Sequence, residues 1–177
     1  MIDPVDAETV ARQLGSKEVF ITGIAARCPH KHPTVALLSP LEKNGAVNFT
    51  AMSTPLWLTC PFLNKKIHDL ESSGFIKNIK QMIEADASLA AKMLDDRRNY
   101  AAYRHTAYRV FFSSRRGSNA LRKMPPEAAD AGGINSLKCL HLFAAHYAAC
   151  RQNMVGKIVF ELLGKETFCF SGGCLRQ

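Results

Sequence analysis

The sequence contains no C-x-x-C pair, although it carries six cysteines in 177 residues. Six are too sparse for a disulfide-stapled miniprotein. Without paired spacing, any metal site must be assembled by the fold. No stretch of 18 apolar residues occurs, which excludes a membrane-spanning helix. The opening Met1-Ile2-Asp3-Pro4-Val5-Asp6 has neither a basic start nor an apolar run. A secretory signal is therefore not expected, and a cytoplasmic protein with reduced thiols is. Charged residues make up only 21% and hydrophobic residues 47%, which excludes a disordered chain. There are no internal repeats, no low-complexity tract and no RNA- or DNA-binding motif. What remains is one domain over 1–177 with its own core.

The apolar pattern divides that domain. A short helix is expected over 5–14, stopped by Gly15. Short strands follow over 18–26, 34–38, 47–52 and 55–59, with turns at Pro29 to Pro33 and Pro40 to Gly45. From Pro61 the period becomes helical: Leu63, Ile67 and Leu70 lead to Gly74, and a second helix covers 75–85. Asp86 is the expected N-cap of a long helix reaching about Ser114. Residues 117–133 hold Pro125-Pro126 and three glycines and read as a loop. Two more helices are expected over 134–150 and 155–163, and residues 164–177 form an irregular tail. The fold class is α+β: a small N-terminal sheet within 1–60, then four to five helices over 61–163.

Positive charge is concentrated. Arg97, Arg98, Arg104, Arg109, Arg115, Arg116, Arg122 and Lys123 fall in one segment with no Asp or Glu between them. The other 15 basic residues balance the 15 acidic ones, so the whole net charge of +8 is local. At 100° per residue, Leu89, Met93, Tyr100, Tyr103, Ala107 and Phe111 form one stripe. Arg97, Arg104 and Arg115 flank it, and Arg98, Arg109 and Arg116 lie opposite. The segment is either a solvated helix face or a site for phosphate, nucleotide or nucleic acid.

Four segments carry the cysteine signal: Arg27-Cys28-Pro29, Trp57-Leu58-Thr59-Cys60-Pro61, Lys138-Cys139-Leu140-His141 and Gly172-Gly173-Cys174. With Val10 to Gly15, Ala145-His146 and Asn153-Met154-Val155-Gly156, they make the chain resemble a bacterial domain-of-unknown-function family, number 501. Met154 and Gly173 stand where that family usually has proline. The resemblance implies no activity, but it selects Cys28, Cys60, Cys139 and Cys174 from the six. Four thiolates suit structural zinc or an iron–sulfur cluster. Cys139 would lie in the first turn of the 134–150 helix if Asn135 or Ser136 capped it, and a helix N-terminus favours thiolate.

Three functions follow as expectations. The first is a metal-binding domain on those four cysteines, flanked by Arg27 and Lys138. The second is a cysteine-dependent enzyme using Cys139 or Cys60 on an anionic or phosphorylated substrate. Arg97, Arg98, Arg104, Arg109, His141 and the helix start at Asn153 would hold the anion. The third is a nucleic-acid or protein adaptor built on the basic helix. His146 lies too far along its helix from Cys139 for one ion to take both, and reads as a satisfied, partly buried histidine or one that contacts an anion or orients a cysteine.

Overall fold

Proline and aspartate open the first element. In the computed structural model, which describes residues 2–16, 18–46, 48, 51, 54–113 and 137–170, α1 spans Pro4–Gln13. The Asp3 carboxylate accepts the Val5 N–H at 2.9 Å, and Pro4 fills a first-turn position whose N–H would find no helical partner. Arg27 reaches back to this helix with a two-pronged ion pair to Asp6, at 2.8 and 2.6 Å. That guanidinium holds the Asp6 carboxyl below its ordinary value.

Strands β1 (Ile21–Arg27), β2 (Pro33–Leu38) and β3 (Leu56–Leu58) form an antiparallel sheet in the order β1-β2-β3. Arg27 pairs with Pro33 and Val35 with Leu58, so the end of β1, the start of β2 and the end of β3 share one edge of the sheet. Cys28 and Cys60 follow at that edge, both buried. The Cys28 to His32 segment is a tight turn. The Lys31 N–H donates to Cys28 O at 2.8 Å, and Lys31 takes a left-handed φ of 65°. Cys28, His30 and His32 therefore lie in the hairpin turn between β1 and β2.

Cys60 occupies the N-cap position of α2 (Pro61–Ser72). Gly74, at φ 81°, separates α2 from α3 (Phe75–Ala85), a backbone state that a side chain would strain. Asp86 then caps α4 (Ala87–Ser113), its Oδ1 accepting from Ser88 and Leu89 N–H at 2.7 and 3.3 Å. Helices α5 (Leu140–Cys150) and α6 (Met154–Leu163) follow, with a 3-10 turn over Gly164–Thr167. Val35, Leu58, Ile67, Met93, Leu140 and Val155 are among the residues of one shared core, so sheet and helices form a single unit.

Three expectations change. The helix expected over 134–150 starts at Leu140: Cys139 is extended (φ −150°, ψ 123°), and Asn135 and Ser136 lie outside the described residues. The expected strand over 47–52 also falls mostly outside them, and Ala51 is helical. Arg104 does not flank the stripe of α4 but is buried at 2% exposure, one turn from buried Tyr100 and Tyr108. The buried face runs through Met93, Asp96, Tyr100, Arg104 and Tyr108, at spacings of three and four. Its two polar members hide because each has local company. Asp96 takes the Met154 N–H at 2.5 Å, and the guanidinium of Arg104 lies near both tyrosines, opposing the rise that burial imposes on their hydroxyls.

Candidate metal centre

The C-terminal end of α2 meets the N-terminal end of α5. A helix start leaves its first N–H groups without helical acceptors. Here Glu71 Oε1, from the last turn of α2, accepts the Leu140 N–H at 2.5 Å. The negative carboxylate also complements the positive end of the α5 dipole. Cys139 precedes this turn and His141 follows it, and their side chains turn toward the same carboxylate.

The three form a tight cluster. His141 Nδ1 lies 3.6 Å from Cys139 Sγ and 3.2 Å from Glu71 Oε1. Sulfur, ring nitrogen and carboxylate oxygen all lie within 4.8 Å of one another, the only such trio among the described residues. The other ring nitrogen, Nε2, faces the Asn64 carbonyl of α2 at 3.3 Å and donates its proton there. The hydrogen bond with Cys139, and then the charge of Glu71, raise His141 to about 9 against the opposing pull of burial. Cys139 is exposed, while His141 and Glu71 are partly covered.

These distances match the edges of a coordination tetrahedron. Zinc with a thiolate at about 2.3 Å and an imidazole at about 2.05 Å sets sulfur and nitrogen about 3.6 Å apart, and nitrogen and carboxylate oxygen about 3.3 Å apart. The Nε2–H bond to a backbone carbonyl is the outer contact that fixes a ligating histidine with its other nitrogen free. A serine-protease-like relay would place base and carboxylate on opposite ring nitrogens. Here sulfur and carboxylate share Nδ1, which suits a common ion better than a proton relay.

Of the four expected cysteines, only Cys139 belongs to this trio. Cys28 and Cys60 sit at the shared edge of the sheet, and Cys174 lies outside the described residues. No disulfide joins any two of the five described cysteines. His141, expected as an anion contact, stands beside Cys139. Arg27 pairs with Asp6, and Lys138 is exposed. On α4, Arg98 pairs with Asp95 at 3.1 Å, Arg109 is exposed, Arg97 is half-buried and Arg104 is buried. Arg115, Arg116, Arg122 and Lys123 lie outside the described residues.

Asn153 does not offer the start of α6 to an anion. Its Oδ1 accepts the Gly156 N–H at 2.8 Å, and the Asp96 carboxylate already holds the Met154 N–H. Asn153 Nδ2 in turn donates to Nδ1 of His146 at 3.2 Å, so His146 is a satisfied histidine, and it is fully buried where partial burial was expected. Its separation from Cys139 along α5 keeps it out of the trio.

Glu71 is the member that sequence reasoning missed. It is 68 residues from Cys139 in the chain and sits in the last turn of an amphipathic helix, where a glutamate usually faces solvent. No local motif marks it.

An α+β protein with a cysteine sulfur, an imidazole and a carboxylate gathered between two helices is the class that fold and site define. The family model described as Protein of unknown function (DUF501) matches residues 24–161, and the chain belongs to that family. The match includes Cys28, Cys60, Glu71, Cys139 and His141 and ends before Cys174. Neither the curated proteins nor the solved structures hold a match to the chain. No helix among the described residues is long and apolar enough to cross a membrane.

Proposed function

We propose that this protein binds a divalent metal ion of the zinc type through Cys139, His141 and Glu71. The observation that carries the reading is the placement of His141 Nδ1 at 3.6 Å from a sulfur and 3.2 Å from a carboxylate oxygen, with Nε2 tied to a backbone carbonyl. Sulfur, nitrogen and oxygen donors together favour zinc over magnesium or calcium, which prefer oxygen alone. The oxygen beside His141 Nδ1, Glu71 Oε1, is the one that accepts the Leu140 N–H, so it would serve the helix cap and the ion together.

The test is the metal content of protein purified anaerobically, with the Cys139→Ser, His141→Ala and Glu71→Gln variants beside it. One zinc per chain is expected in the wild type, with loss in the first two variants and weakened retention in the third. A wild type without bound metal, even after incubation with zinc, would overturn the reading.

A second reading keeps the wider set of Cys28, Cys60, Cys139 and Cys174 for an iron–sulfur cluster. Its support is that Cys28 and Cys60 follow the two outer strands at one edge of the sheet. His30 Nε2 also bonds the Cys169 carbonyl at 2.9 Å, which ties that turn to the chain segment leading to Cys174. Iron and acid-labile sulfide in equal amounts, lost on Cys28→Ser or Cys60→Ser, would select this reading over the zinc trio. The enzyme on a phosphorylated substrate and the adaptor have less behind them, because the arginines of α4 are divided between burial, an ion pair and solvent.

A further inference from the structure

The trio of Glu71, Cys139 and His141 supplies three of the four donors that tetrahedral zinc takes. The fourth is either water or another side chain. The face of α2 that carries Glu71 holds one more ligand type. His68 precedes Glu71 by three residues, and side chains at that spacing are neighbours on a helix.

The position of His141 sharpens this. Its ring is held at one end by the Asn64 carbonyl and at the other by the Glu71 carboxylate, so it spans the stretch of α2 between them. At about 100° per residue, Asn64, His68 and Glu71 fall within about 60° of one another on the helix. His68 lies on the solvent side of that strip, and Ile67 and Leu63 on the core side are fully buried. The trio's most exposed member, Cys139, also opens to solvent. His68 is exposed and makes no hydrogen bond or ion pair with another described residue. Its imidazole stands outside the trio as the structure has it, on the same strip of α2 as Glu71 and one turn before it.

We infer that His68 is the fourth ligand, closing over the ion from the solvent side. The inference rests on the metal reading above. The site would then consist of His68-x-x-Glu71 from α2 and Cys139-x-His141 from the start of α5. Such a site is four-coordinate and closed to substrate, which makes its role a staple between two helices rather than a hydrolytic centre.

Cobalt(II) titration of the full-length protein tests this, because cobalt occupies zinc sites and reports both sulfur ligation and coordination number. The wild type is expected to take one cobalt with a sulfur-to-cobalt charge-transfer band and intense tetrahedral visible bands. In His68→Ala, the charge-transfer band should persist, because Cys139 still binds, while the visible bands weaken as water enters. Zinc affinity measured by chelator competition should fall by about 10- to 100-fold, the scale on which even outer-shell partners act. His105→Ala, which removes another exposed imidazole, from α4, should change neither reading. If His68→Ala keeps wild-type affinity and wild-type visible bands, His68 is not a ligand and the trio stands alone with water. If the wild type shows no charge-transfer band, the metal reading itself fails, and this inference falls with it.

Discussion

At the scale of single residues, buried polar side chains do more to specify this structure than its conspicuous charge. His146 is 1% exposed, and its ring meets the edge of Tyr100 at 4.7 Å between centroids. Asn153 fixes its state: the amide oxygen is taken by Gly156 N–H, so the amide nitrogen faces His146 Nδ1 as a donor. That nitrogen must stay unprotonated, and burial accordingly depresses His146 to about 4. The sign follows directly. An unfolded histidine titrates near 6.5, so the folded state resists a proton that the unfolded state accepts, and stability present above pH 6.5 is lost as the pH falls toward 4. The expected loss between pH 7.5 and 4.5 is about 2–3 kcal/mol from this residue alone. Urea unfolding at the two pH values should show it, and His146→Gln, which keeps an acceptor but does not titrate, should remove most of that loss. An equal loss in the variant would assign the acid sensitivity elsewhere. Arg104 teaches the complementary lesson. A helical wheel sets it beside Arg97 at the border of the stripe, and only its position one turn from Tyr100 and from Tyr108 explains its burial.

At the scale of elements, the legible parts were those in which local chemistry decides. Gly74 and Asp86 punctuate α2, α3 and α4 because a left-handed backbone and an N-cap are local requirements. The start of α5 was not legible, because its cap is a carboxylate from α2 rather than a neighbour in sequence. Asn135 and Ser136 read as caps only while Glu71 is unknown. The start of α6 was legible at Asn153, whose side chain caps it, but the second partner of that turn, Asp96 of α4, was not. Met154 donates its N–H to Asp96, a bond that a proline at this position could not make. Helices α5 and α6 also meet unusually closely. A Cβ on Gly156 would sit 2.3 Å from the Phe143 carbonyl oxygen and 2.4 Å from Tyr147 Cβ. Neither neighbour can yield without moving α5 itself. Gly156→Ala should therefore destabilise the protein by about 2–3 kcal/mol despite alanine's better helix propensity. Thermal and urea unfolding check this, and a neutral or stabilising result would mean that the two helices separate freely.

At the scale of the whole molecule, α5 is the element on which the others depend. It lies across all three strands, pairs with α6, and meets α2 at its N-terminus. Two of these contacts are apolar burial and close approach, through Leu140, Ala144 and Ala145. The third is polar, small and partly exposed, and it is the place where a bound ion would add most. A ligand that binds only the folded state stabilises it by RT ln(1 + [L]/Kd), about 2.7 kcal/mol at a free concentration of 100 Kd. For a chain of this length, that corresponds to a rise in Tm of about 5–10 °C. Zinc buffered at 100 Kd should therefore raise the melting temperature of chelator-treated wild-type protein by that amount, and returning the chelator should reverse it. In Cys139→Ser the zinc-dependent increment should vanish, whatever the baseline stability of the variant. Glu71→Gln should behave differently, because glutamine still offers an oxygen to the Leu140 N–H but not a charge to the ion. Its metal-free melting temperature should stay near that of the wild type while its zinc increment shrinks. A zinc increment of wild-type size in both variants would place the stabilising ion elsewhere on the molecule, and equal metal-free and zinc-loaded melting in the wild type would leave Glu71 as a helix cap alone.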